Sequence, residues 1–344
     1  MIHVMQGNLL EAEVEALVNT VNCVGIMGKG IALQFKQAFP ENFEAYAKAC
    51  RKKEVRPGKM FVFETGRMFN PRYIINFPTK RHWKGKAKIK DVQAGLKALV
   101  QEIKRRGIKS IALPPLGCGN GGLDWSDVRR LIEQALSEVP EVKVALFEPR
   151  GAPEAEKMLI RTEKPSMTRA RALFIKLIQN YSLPGYRVTM LEIQKLAYFL
   201  QEAGEPLKLK FEKAQYGPYA ENLHFVLQKL EGHYTRGYGD RSKDAQFHLI
   251  GEAIQVADSF LADDQDAISR LNSVDRLIDG FETPYGMELL STVHWVSKKE
   301  SPPATDPDST IRMAHAWNDR KKELLKSDHI RIAWDRLNEE GWLS

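Results

Sequence analysis

Two glycine-rich stretches, Gly25-Ile26-Met27-Gly28-Lys29-Gly30 and Gly117-Cys118-Gly119-Asn120-Gly121-Gly122, lie about ninety residues apart, each between a strand-like apolar run and a helix-like one. Glycine lets the backbone approach an anion closely with its N–H groups turned toward it, and the helix that follows adds its positive end. One such loop could be any turn. Two in one α/β unit predict a clamp that closes on a diphosphate from both sides.

The runs around these loops alternate. Residues 2–6, 16–22, 59–64, 73–77, 110–114 and 142–147 are short and rich in β-branched or aromatic residues, which predicts strands. Residues 30–38, 42–53, 89–106 and 126–139 carry apolar residues at helical spacing; Ile89, Val92, Leu96, Leu99, Val100 and Ile103 form one stripe. The expected fold class is α/β, a three-layer sandwich with helices on both faces of a mixed, mostly parallel sheet. Ligands in such folds bind beyond the C-terminal ends of strands, where both glycine loops fall. The alternation stops at Pro149-Arg150-Gly151-Ala152-Pro153, and polar residues continue to Lys164-Pro165-Ser166. We therefore expect a first domain over 1–152, a linker over 153–165 and a mostly α domain over 166–344. Helical spacing in that second domain recurs at 168–181, 189–203, 222–230, 251–261, 265–281, 285–298 and 308–325.

Charge is divided unevenly. Residues 1–150 hold 25 Lys+Arg against 15 Asp+Glu, a net of +10, whereas the remainder holds 26 against 29, a net of −3. A basic half attracts nucleic acid through phosphate contacts and counterion release. Three cysteines, Cys23, Cys50 and Cys118, lack paired ligand spacing, so neither a disulfide framework nor a metal site is expected. The sequence opens without a basic region followed by an apolar run and holds no membrane-length segment, so a cytoplasmic protein with no membrane partner is expected.

The run Asn19-Thr-Val-Asn22-Cys-Val-Gly25-Ile-Met27-Gly28-Lys29-Gly30-Ile31-Ala32 resembles the macrodomain signature, with Gly7-Asn8-Leu9 upstream and Pro115-Leu-Gly-Cys-Gly-Asn-Gly-Gly-Leu-Asp-Trp125 downstream. Macrodomains bind ADP-ribose, and many hydrolyse it from modified macromolecules. The resemblance implies that Asn8 and Leu9 lie beside the adenine, although many macrodomains have Asp where this chain has Asn8. It further implies that Asn22 faces the distal ribose and that Gly25, Met27, Gly28, Lys29, Gly30 and Ile31 wrap the diphosphate. Pro115, Gly117, Cys118, Gly119, Asn120, Gly121, Gly122 and Leu123 would close over the other side. Asn19 either touches the ligand or pins a strand end.

In the subgroup of terminal ADP-ribose glycohydrolases a lysine at the position of Lys80 is catalytic, which implies that role here. An amine can attack the anomeric carbon as the leaving group departs, and the adduct is then hydrolysed. The alternative role is electrostatic, holding phosphate or the departing base. Crowding by Arg81, Lys84, Lys86 and Lys88 is expected to lower the lysine pKa, as like charges do. The subgroup also carries an Asp in its second loop, whereas this chain reads Asn120-Gly121-Gly122, with its nearest carboxylate at Asp124. Arg81, His82, Trp83 and Lys84 place an aromatic among cations, a composition suited to unpaired DNA. Trp83 either stacks on a base or packs into the sheet edge.

In the second domain, Leu191-Glu-Ile-Gln-Lys195-Leu196-Ala197-Tyr198-Phe199-Leu200 and Gln215-Tyr216-Gly217-Pro218-Tyr219 are similar to antitoxin-associated helical domains. A macrodomain followed by such a domain resembles the DarG-type DNA ADP-ribosyl glycohydrolase antitoxins. That resemblance implies ADP-ribose and ADP-ribosylated single-stranded DNA as ligands, a cognate DarT-type toxin as partner, and no cofactor or metal. It also implies removal of ADP-ribose from modified thymidine and direct binding of the toxin by the C-terminal domain. Asp258, Asp263, Asp264, Asp266, Asp275, Asp279 and Glu282 either face a basic toxin surface or form an ordinary solvated face. Two rivals stand beside this reading: a non-catalytic ADP-ribose reader, and a glycohydrolase directed at proteins.

Overall fold

The computed structural model describes the whole chain apart from residues 150–152, 183–185 and 242–244, so the last three residues of the expected first domain lie outside the described residues. The chain divides into two compact units, Met1–Glu163 with Gly239–Ser242, and Lys164–Tyr238 with Lys243–Ser344.

The first unit is built on a six-stranded sheet of β1 (Ile2–Met5), β2 (Ala16–Val21), β3 (Phe61–Glu64), β4 (Tyr73–Pro78), β5 (Ser110–Leu113) and β6 (Lys143–Phe147). The order is β1-β6-β5-β2-β4-β3, and every neighbouring pair is parallel except the edge pair β3 and β4. Side chains alternate across a strand, and the two cores follow that period. Ala16, Val18, Ile75, Phe77, Ile111 and Leu113 pack against α3 (Ile89–Arg106) and α4 (Trp125–Leu136). Leu17, Ile74 and Ala112 face the other way, onto Phe35 and Ala38 of α1 (Ile31–Ala38) and onto Phe39. A third cluster joins Val21, Met27 and Val55 to Tyr46 and Cys50 of α2 (Pro40–Arg51). The expected sandwich is what forms. Parallel strands carry their following loops to one end of the sheet, so the segments after β2, β4 and β5 converge there.

The second unit is mostly helical: α5 (Arg169–Tyr181), α6 (Met190–Glu202), α7 (His224–Leu230), α8 (Ala253–Leu261), α9 (Gln265–Ile278), α10 (Pro284–Lys298), α11 (Pro307–His315), α12 (Asp319–Leu324) and α13 (Ser327–Glu339). Three differences from the sequence reading have local causes. The helix expected over 308–325 is two helices, because Asn318 turns out of helical geometry and its side chain accepts from Lys321 N to start α12. The one expected to reach Phe281 stops at Ile278, ahead of Gly280 at φ 83°. Short strands add a hairpin of β8 (Phe211–Ala214) with β9 (Gly217–Ala220) and a sheet of β10 (Thr235–Arg236), β11 (Gln246–Leu249) and β7 (Val188–Thr189). No helix among the described residues is long and apolar enough to cross a membrane.

Candidate active site

The first glycine loop leaves β2 and is shaped by Asn22. The Asn22 side-chain oxygen accepts from Val24 N at 3.0 Å and Ile26 N at 3.3 Å, and its amide donates to the Ile26 carbonyl. Tyr46 on α2 donates its hydroxyl to the Asn22 carbonyl at 2.6 Å. One N–H of the Asn22 amide bonds within the loop and curls it; a primary amide has a second N–H. Gly25 sits at φ 79°, and a Cβ there would meet the Ala47 Cα at 3.3 Å, so the loop lies hard against α2. Met27 is buried beneath the loop, while Val24, Ile26 and Lys29 are exposed on its lip. Gly30, at φ 62°, is the N-cap of α1, and its N–H donates to the Asp240 carbonyl of the same unit at 2.9 Å.

Asn19 lies deeper. It is fully buried, with its amide on Asn76 Oδ1 at 3.0 Å, and Asn76 in turn donates to Asn42 at 2.7 Å. These bonds tie β2 to β4 and α2. Asn8 caps the short turn Leu9–Glu11, its oxygen accepting from Leu10 N and its amide donating to Glu11, with Leu9 buried below.

The second loop, after β5, holds its shape through Leu123 N donating to the Gly117 carbonyl and Cys118 N to that of Pro115, both at 3.1 Å. Gly117 and Gly122 are at φ 76°. A Cβ at Gly121 would lie 2.1 Å from the Gly117 carbonyl oxygen and 2.9 Å from Ala87 Cβ. This is why the chain has no aspartate at that point: a side chain would collide with the loop's own backbone. Asp124 offers no substitute, because it caps α4, accepting from Ser126 N and Asp127 N, and these bonds hold its carboxyl below the usual range. The two loops meet at Asn120, whose amide nitrogen lies 3.0 Å from where a Gly30 Cβ would stand.

Lys80 follows β4 and reaches this meeting point, with its ammonium nitrogen donating to the Asn120 carbonyl. Burial lowers its pKa from the ordinary 10.5. The neighbouring cations, expected to supply that shift by repulsion, do not act as its cause. Arg81 is drawn away by a bidentate pair with Asp91 at 3.1 and 3.2 Å, and Lys84 sits over the Trp83 ring, 5.0 Å from its centroid. The lysine backbone is fixed as well. Thr79 N and Lys80 N donate to Val21 O, Cys23 N donates to Arg81 O, and the Cys23 thiol lies 3.4 Å from Lys80 O.

Residues 81–86 form an exposed basic loop, in which Trp83 is 41% exposed with His82 and Lys84 against its ring. Ala87 N donates to Gly121 O at 3.0 Å, tying that loop to the second glycine loop. The three cysteines are free, and burial pushes the Cys23 and Cys118 thiols up to about 11, far from thiolate character at neutral pH. Asp91, Tyr46 and Asn120 as partner of Lys80 were missed from the sequence. Asp91 did leave a signal, as the first carboxylate after the cationic run 80–90, in the first turn of α3.

In the second unit the two antitoxin-like motifs come together. Gln194 on α6 brackets Ala220, donating to its carbonyl at 3.1 Å and accepting from its N–H at 2.9 Å. Lys195 is 2% exposed and donates to Pro218 O at 2.6 Å. Burial, then the nearby Lys321 charge, pushes its pKa down to about 7. Lys321 itself is buried and bonded to Glu288 at 2.8 Å and Thr292 at 2.9 Å. Gly217, at φ 94°, lets the hairpin backbone rest on this cluster: a Cβ there would lie 3.3 Å from Lys195 Nζ, Ser291 Oγ and Thr292 Oγ1.

The Macro domain family model matches residues 18–132. A DNA ADP-ribosyl glycohydrolase of Thermus aquaticus is 49% identical over 343 residues, covering 100% of this chain and 94% of the relative. A DNA ADP-ribosyl transferase-DNA ADP-ribosyl glycohydrolase fusion protein of Thermosipho africanus is 36% identical over 163 residues, 43% of this chain and 42% of the relative. Among solved structures, the macrodomain of Thermus aquaticus DarG is 54% identical and covers 43% of this chain and 99% of that one, with a TM-score of 0.42. Identity of this depth sustained from end to end is family membership: the chain belongs to the DNA ADP-ribosyl glycohydrolases.

Proposed function

We propose that this protein is the antitoxin of a toxin–antitoxin pair acting in the cytoplasm, and that it removes ADP-ribose from thymidine in single-stranded DNA. The observation that carries the chemistry is Lys80, a partly buried amine of lowered pKa at the junction of the two glycine loops. With diphosphate held between the loops, the neutral amine attacks C1 of the distal ribose. The new N–C bond forms as the bond to the base breaks; the electron pair leaves with the base, which takes up a proton. Water then opens the adduct, releasing ADP-ribose and restoring the amine. The first loop's backbone and the α1 N-terminus supply positive potential for the diphosphate, with Gly30 N–H passing from the Asp240 carbonyl to the ligand. Trp83 and Lys84 receive the strand that carries the modified base, which is already unpaired and avoids an unstacking cost of about a few kcal/mol.

The test sets the protein and its Lys80→Ala variant against single-stranded DNA bearing ADP-ribosylated thymine, beside an ADP-ribosylated glutamate peptide. Label lost from DNA with the unaltered protein alone is the expected result. Binding of free ADP-ribose with neither substrate cleaved would leave only the reader.

The transferase–glycohydrolase fusion supports pairing with a DarT-type transferase, and the second unit is proposed to neutralise that transferase by direct binding. Of the acidic residues offered for this contact, several are committed internally. Asp258 pairs with Lys176, Asp264 with Arg169, Asp266 with Arg169 and Arg270, and Asp275 accepts from Asn180. Asp263, Asp279 and Glu282 are exposed and enter no ion pair among the described residues, so they carry the proposed contact with a basic surface.

A further inference from the structure

At the end of the sheet away from the glycine loops stands a second cationic cluster. Arg67 and Arg161 both hold their guanidinium groups over the ring of Phe39, 5.1 and 5.4 Å from its centroid. Neither has an ion-pair partner among the described residues, although Glu41 acts on Arg161 from a distance. Two like charges on one ring, with no anion between them, repel at low cost only while water screens them. A bound anion would remove the repulsion and satisfy both donor forks.

A second observation is independent of these charges. Arg161 N donates to the carbonyl of Gln37 at 2.9 Å, and the Gln37 side chain beside it is 4% exposed with no hydrogen-bond partner for either its amide nitrogen or its oxygen. Buried amides are expensive to leave unpaired. A third lies two residues beyond Arg67, where Phe69 is 82% exposed; Arg72 follows, over the Tyr73 ring at 5.9 Å. Cations interleaved with an exposed aromatic suit an unpaired nucleic-acid strand, the cations tracking phosphates and the ring stacking on a base.

The place in the fold is also informative. The eight residues of α1 separate Phe39 from the first glycine loop, about 12 Å of helix, and the six residues of β4, about 20 Å of strand, with Thr79 separate Arg72 from Lys80. We propose that Arg67, Arg161 and Phe69 form an exosite for the phosphodiester backbone of single-stranded DNA, holding the same strand whose modified base occupies the active site. This rests on DNA being the substrate.

The test uses the full chain and ADP-ribosylated oligodeoxynucleotides of about 4 and about 16 nucleotides, the span of single-strand site sizes. KM is expected to be lower for the longer substrate. Arg67→Ala with Arg161→Ala should raise that KM about tenfold, toward the shorter substrate's value, and leave turnover of the shorter one unchanged. For an unmodified oligonucleotide of about 16 residues, the slope of log affinity against log salt should fall by about 1.4, two contacts at ~0.7 each. The double lysine variant should keep that slope. Phe69→Ala, which disturbs almost no packing, should weaken binding of the long strand with Tm unchanged. Equal KM, equal slope and equal affinity across these variants overturn the exosite. So does displacement by inorganic phosphate alone without length dependence, which marks a free-anion site, and so does a defect confined to toxin inhibition, which marks a protein contact. Failure of the unaltered protein to cleave either DNA overturns the substrate instead, and the salt slope then still decides whether the cluster binds a strand.

Discussion

In the proposed mechanism the Lys80 nitrogen must carry a free electron pair, and burial favours the neutral form by making the charged one costly. A lowered pKa means that the neutral fraction grows as pH rises and reaches its plateau earlier than for an exposed lysine. We therefore predict that kcat for ADP-ribosyl-DNA rises with pH through a value below 10.5 and then levels, and that Lys80→Ala lowers it by at least about 100-fold. A pH-independent rate would remove Lys80 as the nucleophile. The same scale shows why some assignments could be made from residue type alone. Gly25, Gly30, Gly117 and Gly122 all have positive φ, where other residues are strained, so the turns of both loops were written in the sequence. The orientation of Asn22 was not, because it depends on Tyr46, contributed by a helix that begins eighteen residues later.

Among the elements, the Arg81–Asp91 clamp links the end of β4 to the first turn of α3 and so brackets the basic loop. Its loss should leave ADP-ribose binding intact while loosening Lys80. Asp91→Asn is predicted to lower kcat about tenfold with the Kd for ADP-ribose unchanged, and Asp91→Glu to recover part of it. Parallel loss of kcat and affinity would mark a merely structural role. In the second unit, α6 and the β8–β9 hairpin are joined through Lys195. Its pKa of about 7 in the folded chain lies below the ordinary 10.5, so the unfolded chain binds more protons between these values. The sign follows directly: this group's contribution makes stability rise with pH from about 7 toward 10.5, and below 7 it adds no further slope. Denaturant titrations of the protein and of Lys195→Met across that range should show a steeper rise in the former. The sequence could mark both motifs but not their junction, since Lys195 and Gly217 meet only through the fold.

At the level of the whole molecule, charge and chemistry divide along the chain. The basic first part bears the clamp, Lys80 and both proposed DNA contacts, while the acidic remainder bears the proposed toxin contact. Replacing Asp263, Asp279 and Glu282 together by lysine is predicted to weaken toxin inhibition at least tenfold, with salt sensitivity reduced and glycohydrolase activity on free substrate unchanged. Inhibition by this variant equal to that of the unaltered protein would exclude a charge-driven contact there. The sequence by itself determined the sandwich, because alternating strand and helix periods and positive-φ glycines are local constraints. It also pointed to Lys80, through the resemblance to the terminal ADP-ribose glycohydrolases. Tertiary structure alone decided how the acidic groups of the second unit are spent: Asp258, Asp264, Asp266 and Asp275 on partners within their unit. Hydrogen bonds and ion pairs are made between groups brought together from distant parts of the chain, and no local pattern records which partner will be there.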